Sequence, residues 1–126
     1  MKAFLLSILF SLFTYLDTSI PQPIVDALKN GNASELAKYF NVNIDLTILD
    51  KQDIYSKTQA ESLLKEFFAK NVPSNFKIIH QGGKDDAQYF IGALTTSTGI
   101  YRVSILMKGQ GKSFLIHQFR IEKEND

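Results

Sequence analysis

The chain has no cysteine. That excludes a disulfide framework, a thiolate zinc site, a cysteine nucleophile and the lipid-bearing cysteine of a bacterial lipoprotein. Stability has to come from packing. An excess of either charge is also missing: 14 basic and 13 acidic residues leave a formal charge of +1, so net charge draws the chain neither to nucleic acid nor to an anionic membrane. Internal repeats, low-complexity linkers, glycine-rich phosphate loops, nucleophile motifs and clusters of metal-ligand residues are absent from the 126 residues. That length suits a single domain with an ordinary core, and no cofactor or metal is expected.

What is present begins with a positive start, Met1-Lys2, followed by an uncharged run from Ala3 to Leu16 that ends at Asp17. A membrane span needs about 20 apolar residues, and this run is shorter. It has the length of a secretory signal core and is apolar on every side. Residues 1–19 are therefore read as a signal peptide and residues 20–126 as the exported domain, periplasmic or secreted, with no stable membrane span in the mature chain. Removing the signal takes away Lys2 and Asp17 together and leaves the charge balance unchanged.

From Pro21 the pattern predicts two short helices. Pro23 suits a first turn, Ile24, Val25 and Leu28 share a face, and Gly31 stands where a helix ends in a left-handed residue. Asn32 to Glu35 resembles a capping box opening a second helix with Leu36, Ala37, Tyr39 and Phe40. Val42, Ile44, Leu46 and Ile48 then alternate with polar residues, the period of a half-buried strand. Asp50 to Asp53 reads as a turn and Ile54-Tyr55 as a very short strand. A second capping box, Ser56 to Gln59, opens the strongest helix, whose stripe is Ala60, Leu63, Leu64, Phe67 and Phe68 and which Asn71 and Pro73 end. Four strands follow, at Asn75–Gln81, Ala87–Thr96, Ile100–Lys108 and Ser113–Glu122, with short glycine-containing connections that join antiparallel neighbours. The whole predicts an α+β fold: a curved antiparallel sheet packed on three helices.

This element order resembles the nuclear transport factor 2-like, cystatin-like cone that ketosteroid isomerase shares with many binding modules. His80–Lys108 together with Ile116–Lys123, preceded by Gly31–Phe40, resembles more narrowly a family of exported bacterial domains of unknown function within that superfamily. The resemblance implies the cone fold and brings no activity or catalytic residue. Ketosteroid isomerase chemistry needs a carboxylate base opposite a tyrosine and a protonated acid, and no such set can be placed here.

Register sets the faces. Pairing Thr96 with Ile100, and Lys108 with Lys112, would put Tyr89, Ile91, Ala93, Tyr101, Val103, Ile105, Met107, Leu115, His117, Phe119 and Ile121 on the inner face. Tyr89, Tyr101, Val103, His117 and Phe119 are then the candidate pocket residues, with His117 and Tyr101 the candidates for proton transfer if the domain is an enzyme. A structural His117 on that apolar face would cost roughly 1–3 kcal/mol to remove. The outer face would carry Phe90, Leu94, Leu106, Phe114 and Ile116 beside Arg102 and Arg120, an apolar patch suited to a homodimer. Arg102 and Arg120 could instead grip an anion, although Glu122 offers an internal partner. Asp45 is expected to face solvent, Asp85-Asp86 to form a plain turn, and His80 to carry no role. The leading reading is a non-catalytic exported binding domain that self-associates through the outer face or holds a small apolar ligand in the cone. The alternative is a small proton-transfer enzyme.

Overall fold

A computed structural model describes residues 19–124. The signal-peptide reading falls almost wholly outside this range. Helix α1 (Gln22–Asn30) has Pro23 in its first turn and ends at Gly31, whose φ of 63° lies in the left-handed region. A side chain there would also press into Pro73, since an added Cβ would come 2.8 Å from Pro73 Cδ. Asn32 caps α2 (Ala33–Ala37) by accepting a hydrogen bond from the Glu35 amide. Only half of the expected box forms, because the Glu35 carboxylate pairs with Lys38 instead. The helix stops before Tyr39, and Phe40 opens strand β1 (Phe40–Ile48).

Strand β2 (Lys51–Ser56) is longer than expected and the turn before it shorter, confined to Leu49 and Asp50. Helix α3 (Lys57–Lys70) starts on the expected box, with Ser56 and Gln59 each holding the other's backbone amide. Strands β3 (Pro73–Lys84), β4 (Ala87–Thr96) and β5 (Gly99–Lys108) lead through a 3₁₀ turn at Gly111–Ser113 to β6 (Leu115–Lys123). The sheet order is β2-β1-β6-β5-β4-β3. All neighbours are antiparallel except β1 and β6, which run parallel. That pairing carries the first hairpin back onto the last strand and closes the cone around α3.

The helices cover one face of the sheet, where Ile24, Leu28, Leu36, Leu64 and Phe68 meet Leu46, Phe90, Leu94, Val103, Met107, Ile116, Phe119 and Ile121. Gly92 sits among these residues without a side chain because the Phe76 ring occupies its place, and an added Cβ would fall 2.5 Å from the ring. Fully burying a side chain of this size contributes about 1.5–3 kcal/mol, so this layer supplies the stability that disulfides do not.

Two register differences rearrange the faces. Thr96 pairs with Gly99 rather than Ile100, because its hydroxyl donates to the Gly99 carbonyl at 2.8 Å and accepts from the Thr98 amide at 3.2 Å, closing a tighter turn. A slip of one residue turns every side chain of a strand over. Phe90 and Leu94 therefore belong to the core, and Tyr89, Ile91 and Ala93 to the outer face. The 3₁₀ turn lengthens the next connection, so Lys108 pairs with Leu115 rather than Lys112, and Val103 faces Ile121 rather than His117. A bulge between the Met107–Ile116 and Leu106–Gln118 pairs places Ile116 in the core and leaves His117 as the inserted residue.

Candidate ligand cavity at the mouth of the cone

Alternation along β1 aims Leu46 and Ile48 inward, and the helical stripe of α3 brings Leu63 and Phe67 toward them. With Tyr55 of β2 they line a half-open cavity of about 290 Å³ between the tip of the first hairpin and α3. Its mouth is edged by Leu49, Asp50 and Lys51 from the hairpin and by Glu66 and Lys70 from the helix. Lys70 and Glu66 pair at 3.5 Å, so the edge carries both signs of charge in balance.

Polar groups at one end of the cavity are tied together. Asn71, which caps α3 and lines the cavity, accepts from the Thr98 hydroxyl at 2.5 Å and from the Tyr101 hydroxyl at 3.1 Å. Its amide nitrogen donates to the Phe67 carbonyl at 2.9 Å. Tyr101 also meets the edge of Phe67, with ring centroids 5.3 Å apart. The network fastens the end of α3 to the β4–β5 turn, and it occupies the Tyr101 hydroxyl.

The five pocket candidates from the sequence are not brought together. Tyr101, Val103 and Phe119 are buried in the core and do not line the cavity. Tyr89 is 45% exposed on the outer face, and half-buried His117 lies at the bulge. The candidate pair of His117 and Tyr101 is thus divided between the two sides of the sheet. Of the interface candidates, Phe90, Leu94 and Ile116 are core residues and Phe114 packs partly against the core. Leu106, Arg102 and Arg120 do lie on the outer face, paired with Gln118, Glu122 and Ser104. Among the cavity residues, Leu46, Ile48, Leu63 and Phe67 were legible as apolar stripes, but nothing in either stripe shows that the two stop short of full contact.

The outer face has two halves. Across β4 and β5, Tyr89, Ile91 and Leu106 edge a shallow hollow of about 150 Å³ with Ser104 and Gln118. Across β1, β2 and β6 the surface is polar: Gln52 donates to Asp45 at 2.6 Å, and Arg120 meets Glu122 at 3.3 Å, the internal partner available to it. Arg120 Nε is buried there without a hydrogen-bond partner among the described residues. Asp45 is on this face as expected, and Asp85-Asp86 forms a turn whose Asp86 carbonyl accepts from the Gly109 amide at 2.9 Å. No group of three metal-ligand side chains occurs among the described residues.

Burial, and then the nearby Lys108 ammonium, lower the His117 pKa below its ordinary 6.5. The unfolded chain therefore binds more protons than the folded one between that lowered value and 6.5, and stability falls as pH falls through this window. His117→Gln removes the penalty. Urea midpoints at pH 7.5 and pH 5 should show the variant losing less stability on acidification than the parent; an equal loss would remove His117 from the account. The cost expected for an inner-face histidine does not apply, because the bulge leaves the ring outside the core.

A curved sheet closed around a long helix by a parallel first–last pairing, with a cavity at the open end, defines the nuclear transport factor 2-like, cystatin-like class. The chain is similar in fold to Rd1NTF2_05, with a TM-score of 0.64 at 12% identity over 79% of this chain and 90% of that one. It is likewise similar to a Nostoc punctiforme domain of unknown function with a cystatin-like fold, with a TM-score of 0.66 at 8% identity over 83% of this chain and 73% of that one. Within this class the chain belongs to the domain-of-unknown-function family DUF4783, whose pattern matches residues 21–122. A Bacteroides ovatus member of that family is 35% identical, with a TM-score of 0.80, over 87% of this chain and all of that one. No curated protein matches the sequence.

Proposed function

We propose that this protein is an exported, non-catalytic binding domain that holds a small apolar molecule at the mouth of the cone. The observation that carries the reading is the cavity of about 290 Å³ walled by Leu46, Ile48, Tyr55, Leu63 and Phe67, a concave apolar site of the kind that takes small ligands. Export rests on the Ala3–Leu16 run, and an intact mass that begins at Met1 in the mature protein would contradict it. Proton transfer lacks geometry, since Tyr101 is engaged by Asn71 and His117 stands across the sheet from it. Titration with 2-naphthol, followed by calorimetry, tests the binding reading. The parent should bind, and Leu63→Trp, which fills the cavity, should weaken binding by about tenfold or more while the fold is retained by circular dichroism. A parent that takes up no naphthol sinks the reading.

A second reading is supported by the outer-face residues Tyr89, Ile91, Ala93 and Leu106, which form an apolar area beside polar Ser104 and Gln118. Self-association about a two-fold axis would cover it. Sedimentation at high concentration should then show a dimer for the parent and a folded monomer for Leu106→Lys; a monomeric parent ends this reading.

A further inference from the structure

Leu49 is the one non-glycine residue with positive φ among the described residues, at 60°. The left-handed region is unfavourable for a leucine, and glycine or asparagine adopts it at less cost. Its amide donates to the Ile121 carbonyl at 2.8 Å, extending the β1–β6 ladder into the turn and holding the residue in place. Packing does not account for the choice of leucine, because the side chain is 42% exposed and lies outside the core cluster. It does stand at the edge of the cavity. The two-residue turn between the paired Ile48 and Lys51 requires positive φ at its first position, so what is left for the site to explain is a leucine where glycine or asparagine would sit without strain.

The cavity itself limits what can enter. An apolar cavity of about 150 Å³ holds a benzene, so about 290 Å³ holds a body of two fused rings or its equivalent. The edge offers no net attraction to an ion: Glu66 is neutralised by Lys70, and Asp50 and Lys51 stand beside them with opposite charges. A charged group drawn against apolar walls would lose hydration without gaining a dedicated partner.

Building on the cavity reading, we propose that Leu49 is the lip of this site, held in a strained backbone conformation so that its side chain closes over an uncharged, two-ring-sized apolar ligand. The matched probes are 2-naphthol and its anionic counterpart 2-naphthoate, titrated at pH 7 into the parent and into Leu49→Asn, Leu49→Met and Leu63→Trp. Asparagine accepts the left-handed conformation but offers no apolar surface, and methionine keeps the surface. The parent should bind naphthol at least fivefold more tightly than naphthoate. Leu49→Asn should melt at the same temperature as the parent or a few degrees higher, yet bind naphthol at least fivefold more weakly, and Leu49→Met should bind as the parent does. Leu49→Asn melting several degrees lower would make Leu49 a packing residue and overturn the proposal. Naphthol affinity unchanged in Leu49→Asn but lost in Leu63→Trp would overturn the lip and leave the cavity reading standing. Equal binding of the two probes would overturn the uncharged ligand class, whereas no binding to the parent would remove the cavity reading and this proposal together.

Discussion

Phe90→Ala is expected to lower the unfolding free energy by about 3–5 kcal/mol, the usual cost of deleting a buried phenylalanine, whereas Tyr89→Ala, one residue earlier, should cost about 1 kcal/mol or less. The difference follows from the pairing of Phe90 with Ile105, which sets the ring into the core at 1% exposure, while Tyr89 is 45% exposed on the other face. Urea denaturation of the two variants measures it. The register expected from the sequence predicts the opposite order, so a larger loss for Tyr89→Ala would mean that the β4–β5 hairpin is slipped by one residue in solution.

Asn71→Ala should also destabilise, through hydrogen bonds rather than packing. Its oxygen accepts from Thr98 and Tyr101 and its nitrogen donates to Phe67. Alanine removes all three bonds, while the Thr98 and Tyr101 hydroxyls keep each other at 2.9 Å and the Phe67 carbonyl keeps the backbone amide of residue 71, so the loss should be about 1–3 kcal/mol. Tyr101→Phe removes only one hydroxyl and should cost about 1 kcal/mol. Because both changes break the same network, the double variant should be less destabilised than the two single losses added, by about 0.5 kcal/mol or more. Additive losses in a double-mutant cycle would show that the Asn71–Tyr101 hydrogen bond contributes nothing in water. Loss of this fastening would also free the end of α3, which forms one wall of the cavity, so naphthol binding should weaken in Asn71→Ala.

Much of this molecule is legible in the chain because local chemistry decides it. Gly31 ends α1, Asn32 and Ser56 cap the helices after them, Pro73 follows the end of α3, and the apolar stripe from Ala60 to Phe68 turns to the sheet. Each of these depends on residues within one or two turns of backbone. The inward Ile44, Leu46 and Ile48 of β1 and the odd-numbered inner residues of β5 are equally local and appear as expected. Val42, expected inward with them, is instead 74% exposed, because the β1–β6 pairing is irregular between Phe40 and Asp45. Tyr39 and Phe40 mark the limit: helical spacing and strand pairing compete there, and the parallel contact with β6, where the Ile116 amide donates to the Tyr39 carbonyl at 2.7 Å, favours the strand.

The faces of β4 and the upper part of β6 were decided only in three dimensions. Both strands are apolar on both sides, so hydrophobic alternation places no constraint on which side goes inward, and the choice passes to turn geometry. One hydroxyl, that of Thr96, shortens one turn, and a 3₁₀ segment with a bulge lengthens the other path, which moves Phe90, Leu94 and Ile116 inward and Tyr89, Ile91 and His117 outward. The cavity likewise depends on a distance between β1 and α3 that neither segment encodes alone. Composition and period determine which residues can be buried; the parity of the turns and the spacing of packed elements determine which ones are, because a strand exchanges its two faces on a shift of a single residue.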